Sequence, residues 1–173
     1  ILLDEHGMGW DEAWEVVTHT FAYTNHTVLA EALEKWEMQI FDRLFPRISE
    51  IVREIDRRFR EDMNKRGLDG QTIEYMAPVS GNQVWMAWIA CYASYSINGV
   101  AALHTEIIKH ETLKEWHAIW PQRFNNKTNG VTPRRWLNQC NPRLASLLTG
   151  VTGSDAWVKD LSVLANYTDS VDE

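Results

Sequence analysis

Apolar residues recur at helical spacing through most of the chain, and this pattern predicts a mainly α-helical protein. Trp10, Ala13, Trp14, Val17 and Phe21 are separated by steps of one, three and four residues. In an α-helix these positions lie on one face, so we expect a first helix here that buries one side.

Two further helices follow. The second is expected from about Ala30 to Leu44, where Pro46 interrupts the apolar pattern. The third carries an apolar stripe from Ile48 to Met63, with arginines and glutamates on its opposite face. This is the pattern of a helix that is half covered and half solvated, and Gly67 is a natural place for it to end.

The spacing of apolar residues changes in the middle of the chain. Val79 and Val84 flank the turn signal Ser80-Gly81-Asn82, which predicts a short β-hairpin leading into a buried helix. The stretch from Ala87 to His110 is apolar almost all round as far as Ala102, and Asn98-Gly99 is expected to break it in two. Such a segment is covered on every side, so we expect it to lie inside a larger body.

The last third of the chain also predicts helices. Thr132-Pro133 and Asn141-Pro142 each place a capping residue before a proline, which is typical of a helix start. A final helix is expected from Ser154 to Tyr167. The prediction is therefore a mainly α fold with one short β-hairpin, forming a single partial domain over residues 1–173.

Composition narrows the classes of partner. The 173 residues carry a net charge of −7 and no long basic run, which argues against nucleic acid. No apolar run reaches the roughly 18 residues that a bilayer span needs, so we expect no membrane partner. Cys91 and Cys140 lack the spacing of a metal site, and they fit a reducing compartment. Most of the nine tryptophans are expected in the core.

One polar loop carries candidate chemistry. The stretch NNKTNGVTPRRW combines Asn126 and Asn129, whose amides suit sugar hydroxyls, with Gly130 and a helix start near Thr132 that favours phosphate. Trp136 falls on the first turn of that helix. A neutral polyol next to an anion is one interpretation. The other is that the asparagines cap turns and that Trp136 belongs to the core.

A second polar segment, YTNHTVLAEALEKW, contains a lone histidine, His26, between two predicted helices. A lone histidine is more often structural than a ligand contact, and Thr27 could simply cap the next helix. Both interpretations remain open on the residues alone.

Three blocks together resemble the α-glucan phosphorylases, the glycogen and maltodextrin phosphorylase family. The blocks are YTNHTVLAEALEKW, NGVAALHTEIIKH and NNKTNGVTPRRWLNQCNPRLA, and DEHGMGWDEAW and LFPRISEIVREIDRRF match in order as well. The resemblance covers essentially all 173 residues, but only an internal minority of such an enzyme. It implies a fragment of the α/β N-terminal domain of a larger two-domain, glycosyltransferase-B-like enzyme, and the start at Ile1 without a methionine agrees with a cut segment.

The resemblance also implies an activity and site residues. The family transfers a terminal α-1,4-linked glucose to phosphate, giving glucose 1-phosphate, with pyridoxal phosphate acting through its phosphate group. By the family pattern, His26 would bond the glucose 6-hydroxyl, Asn129 would contact the same region, and Val100 would lie against the sugar. Trp136 would approach the cofactor. A cytoplasmic homodimer is implied, with the remainder of the phosphorylase chain as a further partner.

Other parts of the family's machinery do not occur in this sequence. The family's cofactor lysine lies in a Gly-Asn-Met-Lys context, and no such stretch is present. We therefore expect no catalytic residue here, no metal, and no activity from this chain alone. The alternatives are a stand-alone helical carbohydrate-binding or scaffolding module and a helical adaptor without a ligand. A fragment should expose large apolar patches, whereas an adapted module should have polar residues there.

Overall fold

The computed structural model describes residues 1–170, which are mostly helical. The α-helices among these residues are α1 Trp10–Thr20, α2 Met38–Leu44, α3 Pro46–Lys65, α4 Gly70–Met76, α5 Met86–Ala93, α6 Ala102–Ile107, α7 Lys114–Ile119 and α8 Pro142–Thr152. Tighter 3₁₀ turns lie at Ala30–Ala32, Pro121–Arg123, Ala156–Val158 and Leu161–Ser170, and wider π turns at Ile108–Thr112 and Arg134–Gln139. The mainly α prediction is confirmed.

Six short strands in this part of the chain form two sheets. The strands are β1 Ala22–Thr24, β2 Lys35–Glu37, β3 Val79–Ser80, β4 Gln83–Trp85, β5 Ser96–Gly99 and β6 Phe124–Asn126. One sheet is parallel with the order β1-β5-β6, and the other is antiparallel with the order β2-β4-β3. The predicted hairpin is confirmed as β3-β4, but the expectation that it was the chain's one element of sheet is wrong.

The second predicted helix is wrong over its first half. Lys35–Glu37 is a strand, and Trp36 pairs with Val84 of the hairpin. The backbone N–H of Met86 also donates to Glu34 O at 3.1 Å, which continues the bonding between these two segments by one residue. The apolar spacing of this segment fits a helix locally, but pairing with the hairpin satisfies its backbone instead. Only Met38–Leu44 forms the expected helix.

The apolar stretch after the hairpin contains a strand that the pattern does not reveal. Helix α5 ends at Ala93, and Ser96–Gly99 then forms β5, the central strand of the parallel sheet. Ile97 is fully buried. A short strand that is buried on both faces has no alternation, so its sequence cannot be distinguished from that of a buried helix.

The residues that the structure describes fall into two compact units, 1–128 and 129–170. The first unit has an aromatic core around Trp116, which is fully buried with ring centroids 5.6 Å from Phe59 and from Trp120 and 6.0 Å from Trp88. In the second unit, Trp157 is fully buried and its indole N–H donates to Thr149 Oγ1 at 3.1 Å.

The helix boundaries follow recognisable local chemistry. Helix α3 begins at Pro46 and is followed by Gly67, whose φ of 79° is the left-handed conformation expected after a helix end. Helix α8 begins at Pro142, and the side chain of Asn141 accepts a hydrogen bond from Leu144 N at 3.1 Å. Within the described part of the chain, no helix is both long and apolar enough to cross a bilayer.

Candidate functional site

The carboxyl ends of the three parallel strands define one edge of the sheet in the first unit. Strand β1 ends two residues before His26, and β5 ends directly before Val100. The strands are in register, with Thr24 opposite Asn98 and Gly99 opposite Asn126. Ligands bind preferentially at the carboxyl ends of parallel strands, where loops leave the sheet side by side. The structure therefore brings His26 and Val100 to the ends of neighbouring strands.

A buried asparagine shapes the loop that carries His26. Asn25 is fully buried, and its backbone N–H donates to Asn98 O on β5 at 2.9 Å. Its side-chain Oδ1 accepts from Thr27 N at 2.9 Å, and its Nδ2 donates to the Tyr23 hydroxyl at 3.1 Å. His26 lies between Asn25 and Thr27, the two residues that this turn joins, and it is exposed.

The next residues extend this turn. Thr27 Oγ1 accepts from Leu29 N at 3.1 Å, which forms a second side-chain turn just before the 3₁₀ turn at Ala30–Ala32, where the sequence suggested the cap of a helix. Burial raises the pKa of the Tyr23 phenol. Tyr23 therefore remains a neutral hydroxyl at neutral pH and can accept the bond from Asn25.

The centre of the sheet edge is held by Asn98 and Gly99. Asn98 Oδ1 accepts from Thr24 Oγ1 at 2.9 Å, and its Nδ2 donates to Gly99 O at 2.9 Å. Gly99 lies against the first turn of α6, where an added Cβ would be 2.6 Å from Thr105 Oγ1 and 2.9 Å from Thr105 Cα. Only glycine permits this approach, which brings the start of α6 close to the strand end.

Val100 is half-buried, and its backbone is held by His104. The Val100 N–H donates to His104 Nδ1 at 3.0 Å. Because Nδ1 accepts, the proton of the neutral imidazole is assigned to Nε2. That Nε2 atom is buried and has no hydrogen-bond partner among the described residues. His104 lies in the NGVAALH block, but sequence reasoning did not assign it a role.

The polar loop begins by bonding back to the sheet. Lys127 N donates to Gly99 O at 3.1 Å, and Asn126 Nδ2 donates to Thr128 Oγ1 at 2.9 Å. Asn126 Oδ1 also lies 3.2 Å from Thr105 Oγ1. The amide of Asn126 thus stabilises the turn itself, which agrees with the interpretation that asparagines of this loop cap turns.

The remainder of the loop belongs to the second unit. Asn129 is exposed. Thr132 O accepts from Arg135 N at 3.1 Å and from Trp136 N at 3.0 Å. A helical turn therefore starts at Thr132-Pro133, as the sequence predicts. Trp136 is 60% exposed, which makes its assignment to the core wrong. That Asn129 and His26 contact the same sugar ring stays a prediction.

The chemistry of the described residues fits binding. Among them no group of three or more histidine, cysteine, aspartate or glutamate side chains is arranged to hold a metal ion. At this edge of the sheet exposed His26 offers its ring nitrogens and half-buried Val100 an apolar side chain, while the buried amides of Asn25 and Asn98 are bonded within the protein and shape the strand ends. Such a set suits a neutral ligand that carries hydroxyl groups.

Comparisons with known proteins point to one family. The family model described as carbohydrate phosphorylase matches residues 1–173. The chain is 45% identical to the α-glucan phosphorylase H isozyme of Triticum aestivum, over 100% of this chain and 21% of that protein. It is 48% identical to the glycogen phosphorylase of Bacillus subtilis, over 92% of this chain and 20% of that protein. It is 40% identical to the liver form of glycogen phosphorylase from Bos taurus, over 95% of this chain and 20% of that protein.

These relatives are much longer than the chain. The matched region is 18% to 21% of each of the first relatives, so the chain spans about a fifth of their length.

Proposed function

The chain belongs to the carbohydrate phosphorylase family, and we propose that it supplies part of the glucose site of an α-glucan phosphorylase. The reaction is the transfer of a terminal α-1,4-linked glucose to phosphate, which gives glucose 1-phosphate. In this proposal residues 1–173 belong to the N-terminal, glycosyltransferase-B-like domain of the complete enzyme, which acts in the cytoplasm as a homodimer. The chain contributes binding and orientation, and other segments of the enzyme supply the catalytic groups.

One observation carries the proposal: His26 and Val100 follow the carboxyl ends of adjacent parallel strands. They lie 74 residues apart in the sequence, yet β1 and β5 pair directly, with Thr24 opposite Asn98. His26 is exposed and carries ring nitrogens that can bond a hydroxyl, while half-buried Val100 offers an apolar surface. A sugar presents these two characters, a hydroxyl-bearing rim and an apolar ring face.

Each residue has a role in this proposal. His26 bonds the 6-hydroxyl of the bound glucose, and Val100 lies against the ring. Asn129, on the loop after β6, contacts the region of the same hydroxyl with an exposed amide. Holding a substrate by several positioned groups lowers the entropy cost of reaching the reactive geometry.

Pyridoxal phosphate is the cofactor in this proposal, and when bound it would act through its phosphate group. In this proposal Trp136 borders the cofactor; the residue is 60% exposed and lies in the helical turn Arg134–Gln139. The exposed indole can contact a flat ring by its face or donate its N–H. Covalent attachment requires a lysine outside these residues, since no Gly-Asn-Met-Lys stretch occurs here.

Exposed apolar surface favours a part of a larger enzyme over a stand-alone module. In the first unit an apolar groove of about 550 Å³ is lined by residues that include Ile1, Trp14, Phe21 and Ile89. Phe21 is 57% exposed and Ile1 is 77% exposed. A module adapted to water would place polar residues at such positions. The stand-alone carbohydrate-binding or scaffolding alternative is therefore not favoured.

The proposal is tested in a chimera. Residues 1–173 replace the matching segment of the wheat H isozyme, which aligns with 100% of this chain. We expect glucan phosphorolysis by the chimera and no activity from the 173-residue chain alone. His26→Ala should lower kcat/KM for glucose 1-phosphate in glucan synthesis by about tenfold, because a bond to the substrate is lost.

A substrate analogue makes the test specific. With 6-deoxyglucose 1-phosphate, which lacks the 6-hydroxyl, His26→Ala should leave kcat/KM unchanged within about twofold. An exposed histidine outside the proposed site, His19→Ala, is the matched control and should change neither value. A chimera that folds but is inactive would contradict the proposal, as would equal losses on both substrates.

A further inference from the structure

Asn25 is a fully buried polar residue placed directly before the exposed His26. Burying an amide is unfavourable unless its donors and acceptor are satisfied. The turn satisfies them: Oδ1 accepts from Thr27 N at 2.9 Å, and Nδ2 donates to the Tyr23 hydroxyl at 3.1 Å. An apolar side chain of this size would leave Thr27 N without this acceptor, so the asparagine determines the turn that contains His26.

The bonds of Asn25 fix the backbone on both sides of His26. On one side, Asn25 N donates to Asn98 O and ties the residue to the central strand. On the other, Asn25 Oδ1 holds Thr27 N, which closes a turn around His26. The Cα position and direction of His26 are therefore determined by one buried side chain and one strand contact.

The same network connects His26 to the second sugar-facing position. Asn98 accepts the Asn25 N–H, and its side chain bonds Thr24 Oγ1 and Gly99 O at 2.9 Å each. Gly99 directly precedes Val100. The relative placement of the two strand ends thus depends on buried hydrogen bonds between neutral groups, which have fixed lengths and directions.

We propose that Asn25 is a positioning residue that orients the His26 imidazole toward the 6-hydroxyl of the bound glucose. The inference rests on the proposed function of His26. It adds a residue that does not touch the substrate and acts only through its neighbour.

Two substitutions in the chimera described above separate the effect of losing the turn's hydrogen bond from the effect of losing side-chain volume. Asn25→Ala removes the acceptor for Thr27 N. Asn25→Ser introduces a side chain only one atom larger than alanine and well below asparagine in size, but its hydroxyl can close a similar turn. We expect Asn25→Ala to lower kcat/KM for glucose 1-phosphate about three- to tenfold, the effect of one hydrogen bond. Asn25→Ser should recover most of that loss.

A double-mutant cycle supplies the readout that a purely structural role would not move. If Asn25 acts through His26, adding Asn25→Ala to His26→Ala should lower kcat/KM no further. The loss from Asn25→Ala should also disappear with 6-deoxyglucose 1-phosphate. Asp69→Ala, which removes the cap of α4, is the control for stability alone. It should lower the melting temperature but leave kcat/KM unchanged.

If Asn25→Ala does not fold, Tyr23→Phe provides the test. It removes the hydroxyl that accepts from Asn25 Nδ2 and leaves the ring in place. We expect a loss of about twofold on glucose 1-phosphate, absent in the His26→Ala background and on the deoxy substrate.

The outcomes distinguish the two proposals. Suppose that His26→Ala lowers kcat/KM for glucose 1-phosphate but not for 6-deoxyglucose 1-phosphate, so that the glucose site stands. If Asn25→Ala or Tyr23→Phe then lowers kcat/KM by the same factor with and without His26, the positioning role is wrong. If His26→Ala itself fails to discriminate, the proposed function is wrong.

Discussion

Replacing Gly99 with alanine should destabilise the first unit by about 2 kcal/mol. The new Cβ would lie 2.6 Å from Thr105 Oγ1, 2.9 Å from Thr105 Cα and 3.0 Å from Thr105 N, all closer than normal contacts. Two of these three atoms belong to the backbone of α6, and Thr105 is 2% exposed, so rotation of a side chain cannot relieve the overlap. Overpacking of this kind costs about 1–3 kcal/mol.

The assay is urea unfolding followed by tryptophan fluorescence, since Trp88, Trp116 and Trp120 are buried in this unit. With a slope of about 2 kcal/mol per molar urea, the expected shift of the midpoint is about 1 M downward. Gly70→Ala is the matched control, because a Cβ there meets no atom within 4 Å. Its midpoint should stay constant or rise slightly.

A second substitution tests the stated cause. Thr105→Ala removes the Oγ1 contact and also the hydrogen bonds that this hydroxyl donates to Ala101 O and Asn126 Oδ1, so its own cost is measured separately. Gly99→Ala should then cost less in the Thr105→Ala background than in the parent protein, but not nothing, because the two backbone contacts remain. A Gly99→Ala protein with an unchanged midpoint would refute the reasoning, because it would mean that α6 moves away from β5 at no cost.

Three further predictions concern stability and reactivity. Asn141→Ala should lower the stability of the second unit by about 1 kcal/mol, measured by thermal unfolding with circular dichroism, because the N-terminal cap of α8 is lost. Hydrogen bonds led by that from Arg57 lower the pKa of Glu54 to about 2. The folded pKa lies below the unfolded value, so this pairing stabilises above about pH 4.5 and is lost as the pH falls toward 2. Glu54→Gln should therefore flatten the fall of the urea midpoint between about pH 5 and pH 3, and an unchanged slope would contradict the assignment. Ellman's reagent should titrate Cys140, which is exposed, and not Cys91, whose thiol is fully buried with its pKa raised by that burial. Two reactive thiols in the native protein would contradict this burial.

The residues alone identified the elements whose information is local. The stripe from Ile48 to Met63 predicted α3, which runs over Pro46–Lys65. Asn141-Pro142 predicted the start of α8, and Ser80-Gly81-Asn82 predicted the hairpin. In each case one face, one cap or one turn determines the backbone within a few residues, so the sequence pattern is sufficient.

The family and the candidate residues were also available from the sequence. The blocks containing His26, Val100 and Asn129 resemble α-glucan phosphorylases, and the comparisons confirm the family over residues 1–173. The roles of the individual residues stay predictions. The residues that shape this edge of the sheet, above all Asn25 and His104, were not found, because nothing local shows that the Asn25 side chain is buried or that His104 accepts from a backbone N–H.

Only the tertiary structure decided the sheet that carries the candidate site. Strand β1 pairs with a strand more than seventy residues later, and β5 with one that starts at Phe124. These strands have three or four residues each, too few for a periodic signal, and their hydrogen bonds exist only after distant segments have met. Strand β5 has the sequence Ser96-Ile97-Asn98-Gly99 with only one strongly apolar residue, so hydrophobicity alone does not mark it as a strand. The sequence determined which side chains were available, and the non-local pairing of backbone groups decided that two of them leave the sheet at adjacent strand ends.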